Sequence, residues 1–517
     1  MSTIKSINRL WNNLDKNLGL LAALVFVVAL ALYMLTLPPG LLWGGGDFAL
    51  YQTYAYQGST DTSQVGVYEH VLWVILAHPF TRLPFHDAAW RANFASAVFG
   101  AAALVFVFLS ARRLTRSNVA SLLATVALAL SHTFWTYAVM PKVYSLNNLL
   151  SALCCYLLLL WRDQQRDVYL CLATFLYGIS FLNHLVMVTV AAGFGVFILA
   201  VIGSRGRSKW MPLLLAGLCF LLGLSPYLYL VARSGAAQST GGTAAAFLLG
   251  LVYATTHPIA LLKGLGWGIV LGAYQFPITA LVGLAGLGRL WRQDRGATAL
   301  ILLSILGTLA FMIAAVDPNA GNVYVWNLHY YLQAYVVFAL AMAVGFEMLW
   351  TGWCRQFPFR RATVIGVTLA LPVLLYAIAP SIARHFVQNM PDFRPLPGRD
   401  NLTYVLTPWK QNETGARELG EQILQTLPPN SVFFADYSIW AVINYLQIVE
   451  KARPDVQLVE LASEGQVPLI LQYRSAPNLF LADTYRYYDV EGIRQHFDIV
   501  PVGPIYRLIP QPASPSP

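Results

Sequence analysis

The sequence predicts a polytopic α-helical membrane protein with a small C-terminal extracytoplasmic α/β domain. Three observations carry this expectation. Of 517 residues, 57% are hydrophobic and only 11% charged, whereas an average soluble domain carries roughly 25% charge. Apolar stretches long enough to cross a bilayer recur between residues 18 and 383. Beyond residue 385 the chain becomes rich in Pro, Asn and charge.

The apolar segments fall near 18–37, 90–110, 119–139, 144–161, 169–183, 185–203, 211–232, 267–289, 298–316, 331–350 and 364–383. They amount to about eleven spanning helices, each close to the ~20 residues that cover the hydrocarbon. The first follows Lys5, Arg9 and Lys16, is long for a signal-peptide core and has no small-residue cleavage site after it. It therefore reads as an uncleaved first span. With the N-terminus in the cytoplasm, as in a bacterial inner membrane, every second loop is basic. These loops carry Arg112, Arg113 and Arg116, then Arg162 and Arg166, then Arg205, Arg207 and Lys209, then Arg289, Arg292 and Arg295, then Arg355, Arg360 and Arg361. That alternation follows the positive-inside bias. The other loops hold Asp47, Asp61, Glu69, Asp87, His184, Asp317 and His329, and fall outside together with the C-terminal region. The basic residues thus sort by side of the membrane, and nucleic acid is not an expected partner.

Two outer segments, near 66–84 and 245–265, are apolar but interrupted, the first by Glu69, His70, His78 and Arg82, the second by His257-Pro258. Such interruption suits helices lying at the interface rather than crossing it, where they either roof a membrane-embedded cavity or simply connect spans. Residues 1–384 are read as the transmembrane domain with these two interfacial helices, and 385–517 as the extracytoplasmic α/β domain. In the latter, a helical stretch at 418–427 ends at Pro428-Pro429-Asn430. A strand at 431–435, a helix at 439–451 and a strand at 456–461 follow, a β–α–β order. No glycine-rich phosphate fingerprint accompanies these strands, and 512–517 reads as a disordered tail. The five cysteines lie in or beside apolar segments, without metal or disulfide spacing, and read as small core residues.

Sugar transfer outside the cytoplasm, where nucleotide sugars are absent, calls for a lipid-linked donor. It needs a carboxylate to take the acceptor's proton, cationic or hydrogen-bonding groups for the leaving phosphate and an apolar groove for the tail. Asp47, in Trp43-Gly44-Gly45-Gly46-Asp47-Phe48 just past the first span, is the candidate base. A carboxylate so close to the bilayer is costly unless solvated or used, and its glycine neighbours permit close backbone approach. Glu69 and His70 form a second polar pair suited to assisting the base, binding metal or binding the acceptor. Arg91, Lys142 and Arg233 are cations at outer helix ends, suited to phosphate, although snorkelling accounts equally for any one of them. Asn183-His184 ends the fifth span and suits phosphate or acceptor, or an ordinary interhelical hydrogen bond.

At these residues the chain resembles the protein O-mannosyltransferase-related membrane proteins of the GT-C glycosyltransferase superfamily. The similarity runs in order through Gly46-Asp47, Leu83-Pro84-Phe85 with Ala89-Trp90-Arg91-Ala92-Asn93, and Phe134-Trp135. It continues through Val143-Tyr144-Ser145-Leu146-Asn147, Asn183-His184-Leu185 and Pro226-Tyr227-Leu228-Tyr229-Leu230 with Arg233, and ends in Leu427-Pro428-Pro429-Asn430 and Arg453-Pro454-Asp455-Val456. The resemblance implies a GT-C-like core and an inverting glycosyltransferase. The enzyme moves a sugar from a polyprenyl-phosphate donor to a hydroxyl of a protein, glycan or lipid. Asp47 is the implied base, and Tyr144 joins Glu69, His70, Arg91, Lys142, Asn183, His184 and Arg233 among the substrate-binding candidates. It also admits a divalent metal ion beside the first-loop acid, with Asp47, Glu69 and His70 as donors. Two departures stand out. The second carboxylate of the family's Asp-Ser-Gly-Glu element is Leu50 here, and the Glu before Val-Tyr-Ser is Lys142. They motivate an alternative, a non-catalytic scaffold or lipid-glycan handling subunit of envelope assembly. A transporter is disfavoured because repeat symmetry is not evident.

Overall fold

The computed structural model describes residues 17–43, 48–58, 70–204, 210–233, 256–315, 327–388 and 394–512. Asp47, Glu69, most of the segment 245–265 and residues 513–517 of the expected tail lie outside the described residues. Among those described, eight helices are long and apolar enough to cross a membrane, or ten if each of two bent pairs forms one span. Every apolar segment of the sequence is helical, but not every one is a straight span. The segment at 119–139 is two helices, Asn118–Ala129 and His132–Ala138, bent by 71°. The segment at 267–289 bends by 111° between Pro258–Gln275 and Thr279–Gln293. The segment at 169–183 is the shorter helix Asp167–Ser180, which accounts for the difference from eleven. The outer segment near 66–84 is helical over Val71–Thr81, and an additional short helix, Phe48–Gln57, immediately follows Asp47 in the chain.

Helix α1 (Leu18–Leu35) packs against the central 28-residue helix α2 (Ala88–Thr115). The Asp87 side chain caps α2 by accepting from Trp90 N–H at 2.7 Å. Its alanine-rich sequence lets neighbours approach closely, so most of its length is buried. Small residues govern other contacts too, as expected where lipid is as apolar as a leucine side chain. A Cβ on Gly178 would stand 2.3 Å from Phe220 O, and one on Gly223 2.1 Å from Phe175 O. The same reciprocity joins Thr279–Gln293 to α3 (Leu332–Thr351). There, Gly286 would meet Ala341 O at 2.0 Å and Gly345 would meet Val282 O at 1.9 Å.

The C-terminal region contains a five-stranded sheet of order β2-β1-β3-β5-β4. Strands β1 (Val432–Asp436), β2 (Gln457–Leu461) and β3 (Leu479–Leu481) are parallel, with Val432 opposite both Gln457 and Leu479. Strands β4 (Phe497–Val502) and β5 (Ile505–Pro510) form an antiparallel hairpin closed at Gly503, whose φ is +60°. β1 is buried along its whole length, as suits a central parallel strand.

This region is fastened to the first loop. Tyr404 Oη donates to Trp43 O, Trp43 Nε1 donates to Pro397 O at 3.2 Å, and Lys410 N donates to Thr36 O at 2.9 Å. Arg417 also bridges to Asp87 at 2.9 Å. At the opposite end of α2, Arg113 pairs with Asp163 at 2.8 Å and Arg162 pairs with Asp294. Three loops expected on the same side of the membrane thus meet at one end.

Candidate functional site

The site forms where the helix after the first loop, Phe48–Gln57, meets the start of helix α4 (Tyr144–Gln164). A buried polar network sets the first loop. Gln52 Nε2 donates to Asn93 Oδ1 at 2.9 Å and to Gly40 O at 3.2 Å, and Asn93 Nδ2 donates to Gly40 O at 3.1 Å. The network fixes Phe48–Gln57 against α2 and holds the chain on both flanks of residues 44–47. Leu50 is 1% exposed, in the hydrophobic core.

Lys142 lies at the short turn before α4, with Nζ 5.6 Å from the Phe48 ring centroid, 5.2 Å from Tyr51 and 5.8 Å from Tyr144. Three rings around one ammonium make a cation–π cage. Around it stand His70, His184 and His329. The His70 and His184 rings are 5.2 Å apart, and Tyr144 lies 5.4 Å from His184 and 4.3 Å from His329. Tyr51 meets His70 at 5.6 Å, and Tyr137 Oη lies 2.9 Å from His329 Nδ1.

Local hydrogen bonds set these orientations. Asn183 Nδ2 donates to Val143 O at 2.9 Å and to Asn147 Oδ1 at 2.6 Å, which pins the loop after Asp167–Ser180 to the start of α4. His184 Nδ1 accepts from Val186 N–H at 3.0 Å. With Nδ1 an acceptor, the neutral ring carries its proton on Nε2 and has one donor left. Burial, then the neighbouring Lys142 cation, hold the His184 imidazole down to about 3. Burial, then His184 and Lys142, push His70 well below the ordinary range. Both rings are therefore neutral donors or acceptors at neutral pH rather than cations.

Of the residues singled out in the sequence, His70, Lys142, Tyr144, Asn183 and His184 converge, with Asn183 in a positioning role. Arg91 does not join them. Its guanidinium donates to Asp87 O at 3.1 Å and to Leu83 O, bracing the turn before α2. Arg233 is exposed at the end of Trp210–Arg233. Sequence reasoning placed His329 in an outer loop but missed it, Tyr137 and Tyr330, whose ring lies 4.2 Å from His329 and 5.9 Å from His184, as site residues. The available signal was a histidine-tyrosine pair, His329-Tyr330, at the outer start of a span. Among the described residues no group of three or more His, Cys, Asp or Glu is arranged to hold a metal ion.

A family model described as the Protein O-mannosyl-transferase TMEM260 N-terminal domain matches residues 70–205, a stretch that includes His70, Lys142, Tyr144, Asn183 and His184. Protein O-mannosyl-transferase TMEM260 of Mus musculus is 29% identical over 218 residues, covering 41% of this chain and 30% of the relative. Protein O-mannosyl-transferase tmem260 of Dictyostelium discoideum is 22% identical over 509 residues, covering 88% of this chain and 58% of the relative. The chain thus spans less than two thirds of the length of these curated relatives. The crystal structure of ArnT from Cupriavidus metallidurans in the apo state matches with a TM-score of 0.56 at 14% identity, over 94% of this chain and 97% of that one. The shared architecture bears out the GT-C-like fold expected from the sequence.

Proposed function

We propose that the protein is an inverting membrane glycosyltransferase that moves a sugar from a polyprenyl-phosphate donor to an acceptor hydroxyl outside the cytoplasm. The observation that carries this is the Lys142 cage, which gathers a cation and neutral imidazoles directly beside Phe48, the residue following Asp47. In the proposed step, the Asp47 carboxylate accepts the proton of the acceptor hydroxyl as that oxygen forms a bond to the anomeric carbon. The bond from that carbon to the phosphate oxygen breaks, and the leaving polyprenyl phosphate keeps the electron pair. Lys142 and the Nε2–H of His184 stabilise the charge that develops there. The ammonium beside His70 opposes binding of a second cation at that ring. Leu50 lies in the core, so the position of the family's second carboxylate supplies no charge to the step.

The relatives' names favour a mannosyl donor and a protein hydroxyl as the first substrates to assay. The meeting of the Arg113, Arg162 and Asp294 loops supports a cytoplasmic end there and an extracytoplasmic site. The test is transfer by purified Asp47→Asn. We expect transfer to be lost while donor binding and thermal unfolding stay at parental levels. Undiminished transfer by that variant would remove Asp47 from the mechanism.

A further inference from the structure

We propose that the end of the helix bundle opposite the Lys142 cage carries a binding site for the phosphate of an anionic membrane lipid. Helix α2 runs between the two ends, and its 28 residues span about 42 Å at 1.5 Å per residue, so this site is separate from the donor site. A cavity of about 590 Å³ opens there, lined by four arginines, Arg112, Arg113, Arg116 and Arg162, and one carboxylate, Asp163.

The arginines are organised. Arg112 Nε donates to Asn118 Oδ1 at 2.6 Å. Asp163 is shared, pairing with Arg113 at 2.8 Å and with Arg162 Nε at 2.8 Å, while Arg162 reaches on to Asp294. The Arg113 guanidinium also lies 5.3 Å from the centroid of the Tyr156 ring. Four cations therefore face two carboxylates, which leaves an excess of two positive charges. Arg113 Nε is buried and has no hydrogen-bond partner among the described residues, and a buried donor left without a partner calls for an acceptor.

A basic loop set only by membrane topology requires neither a cavity nor an ordered arginine network. The remaining wall distinguishes a lipid from a soluble anion. Leu18, Leu109 and Tyr156 complete it, and Leu18, 42% exposed, is the first residue of α1. The apolar face of α1 continues from it through Leu20, Leu24, Val27 and Val28, all exposed. A phosphate with an acyl chain matches both halves of the cavity, whereas inorganic phosphate leaves the apolar half wet. Basic pockets between membrane helices recognise lipid headgroups in this way.

The experiment titrates the purified full-length protein in neutral detergent with phosphatidylglycerol, phosphatidylcholine and inorganic phosphate, following thermal unfolding and lipid retention by native mass spectrometry. Phosphatidylglycerol should bind and raise the unfolding temperature, and the other two should not. Each arginine near a lipid surface contributes such that its loss weakens binding about fivefold. Arg116→Gln, at an exposed position, should show that loss with the fold intact. Arg112→Gln combined with Arg116→Gln should weaken phosphatidylglycerol about thirtyfold. Lys142→Gln should leave it unchanged, which separates this site from the proposed donor site. Equal binding of phosphatidylcholine, an equal effect of inorganic phosphate, or full phosphatidylglycerol binding by the double variant would each overturn the proposal.

Discussion

Replacing Lys142 by Gln tests the centre of the site, because the structure gives that ammonium two separable roles. Its first is to meet the donor phosphate. A hydrogen bond to a charged group contributes roughly 1.5–3 kcal/mol, so Lys142→Gln should weaken polyprenyl-phosphate binding about tenfold to a hundredfold. The second is internal. Three rings lie 5.2, 5.6 and 5.8 Å from Nζ, and losing such contacts should lower stability by about 1–2 kcal/mol. Lys142 is also the second cause, after burial, of the low His184 value, so the imidazole should move upward in the variant without reaching its ordinary value. Lys142→Arg keeps the charge and should retain most of the affinity. The assay is equilibrium binding of a short-chain polyprenyl-phosphate sugar to purified protein, with thermal unfolding run in parallel. A folded Lys142→Gln protein that binds donor with unchanged affinity would refute the phosphate role.

Three further outcomes are expected. His184 is neutral in the fold down to about 3, whereas an unfolded histidine titrates near ~6.5. Its contribution is zero above that value, and stability should fall by about 1.4 kcal/mol per pH unit as pH drops below it. His184→Gln should remove one proton's worth of this slope from unfolding temperatures measured between about pH 6 and pH 4; an unaltered slope would contradict the assignment. On one helix, Gly286→Ala places a Cβ 2.0 Å from Ala341 O, while Gly288 has open space around it. The first should destabilise by about 1–3 kcal/mol and Gly288→Ala should not, so equal unfolding temperatures would argue against close helix packing there. Arg417 joins the C-terminal region to Asp87 at 2.9 Å and also pairs with Glu450 at 2.7 Å. Arg417→Ala should cost about 1 kcal/mol and lower the unfolding temperature accordingly, with an unfolding temperature at the parental level counting against that latch.

Hydropathy made the membrane helices legible, because about 20 apolar residues can do little but lie in hydrocarbon. The breaks were less visible. Only the short polar run Ser131-His132-Thr133 inside an apolar stretch hints at the break after Ala129, and only Pro277 hints at the bend after Gln275. In the C-terminal region the first two strands and their helices stand where alternation and turn residues put them. The Phe497–Pro510 hairpin was missed although Gly503-Pro504 signals a two-residue turn with a left-handed first residue. β3 has only three residues, too few to show alternation. In the site, Lys142, Tyr144 and His184 were found because they sit at helix ends within one stretch of sequence. His329 arrives from about 145 residues beyond His184, and only tertiary packing brings it beside Tyr144. Arg91 looked identical to a phosphate ligand in sequence, since nothing local shows that its guanidinium is occupied by two carbonyls.

The latch between Trp43 and the C-terminal region also has a schedule. Trp43 finds its partners 354 and 361 positions later, at Pro397 and Tyr404. At translation speeds of about 5–20 residues per second, a nascent chain waits roughly 20–70 s before those partners exist. Through that interval the exit of the first span lacks both hydrogen bonds, whatever the membrane helices have already formed. Competence of the first loop therefore arrives late in biosynthesis, and a chain halted before residue 397 would present inserted helices without a finished mouth. That makes the latch a natural point at which cellular quality control could tell completed copies from interrupted ones.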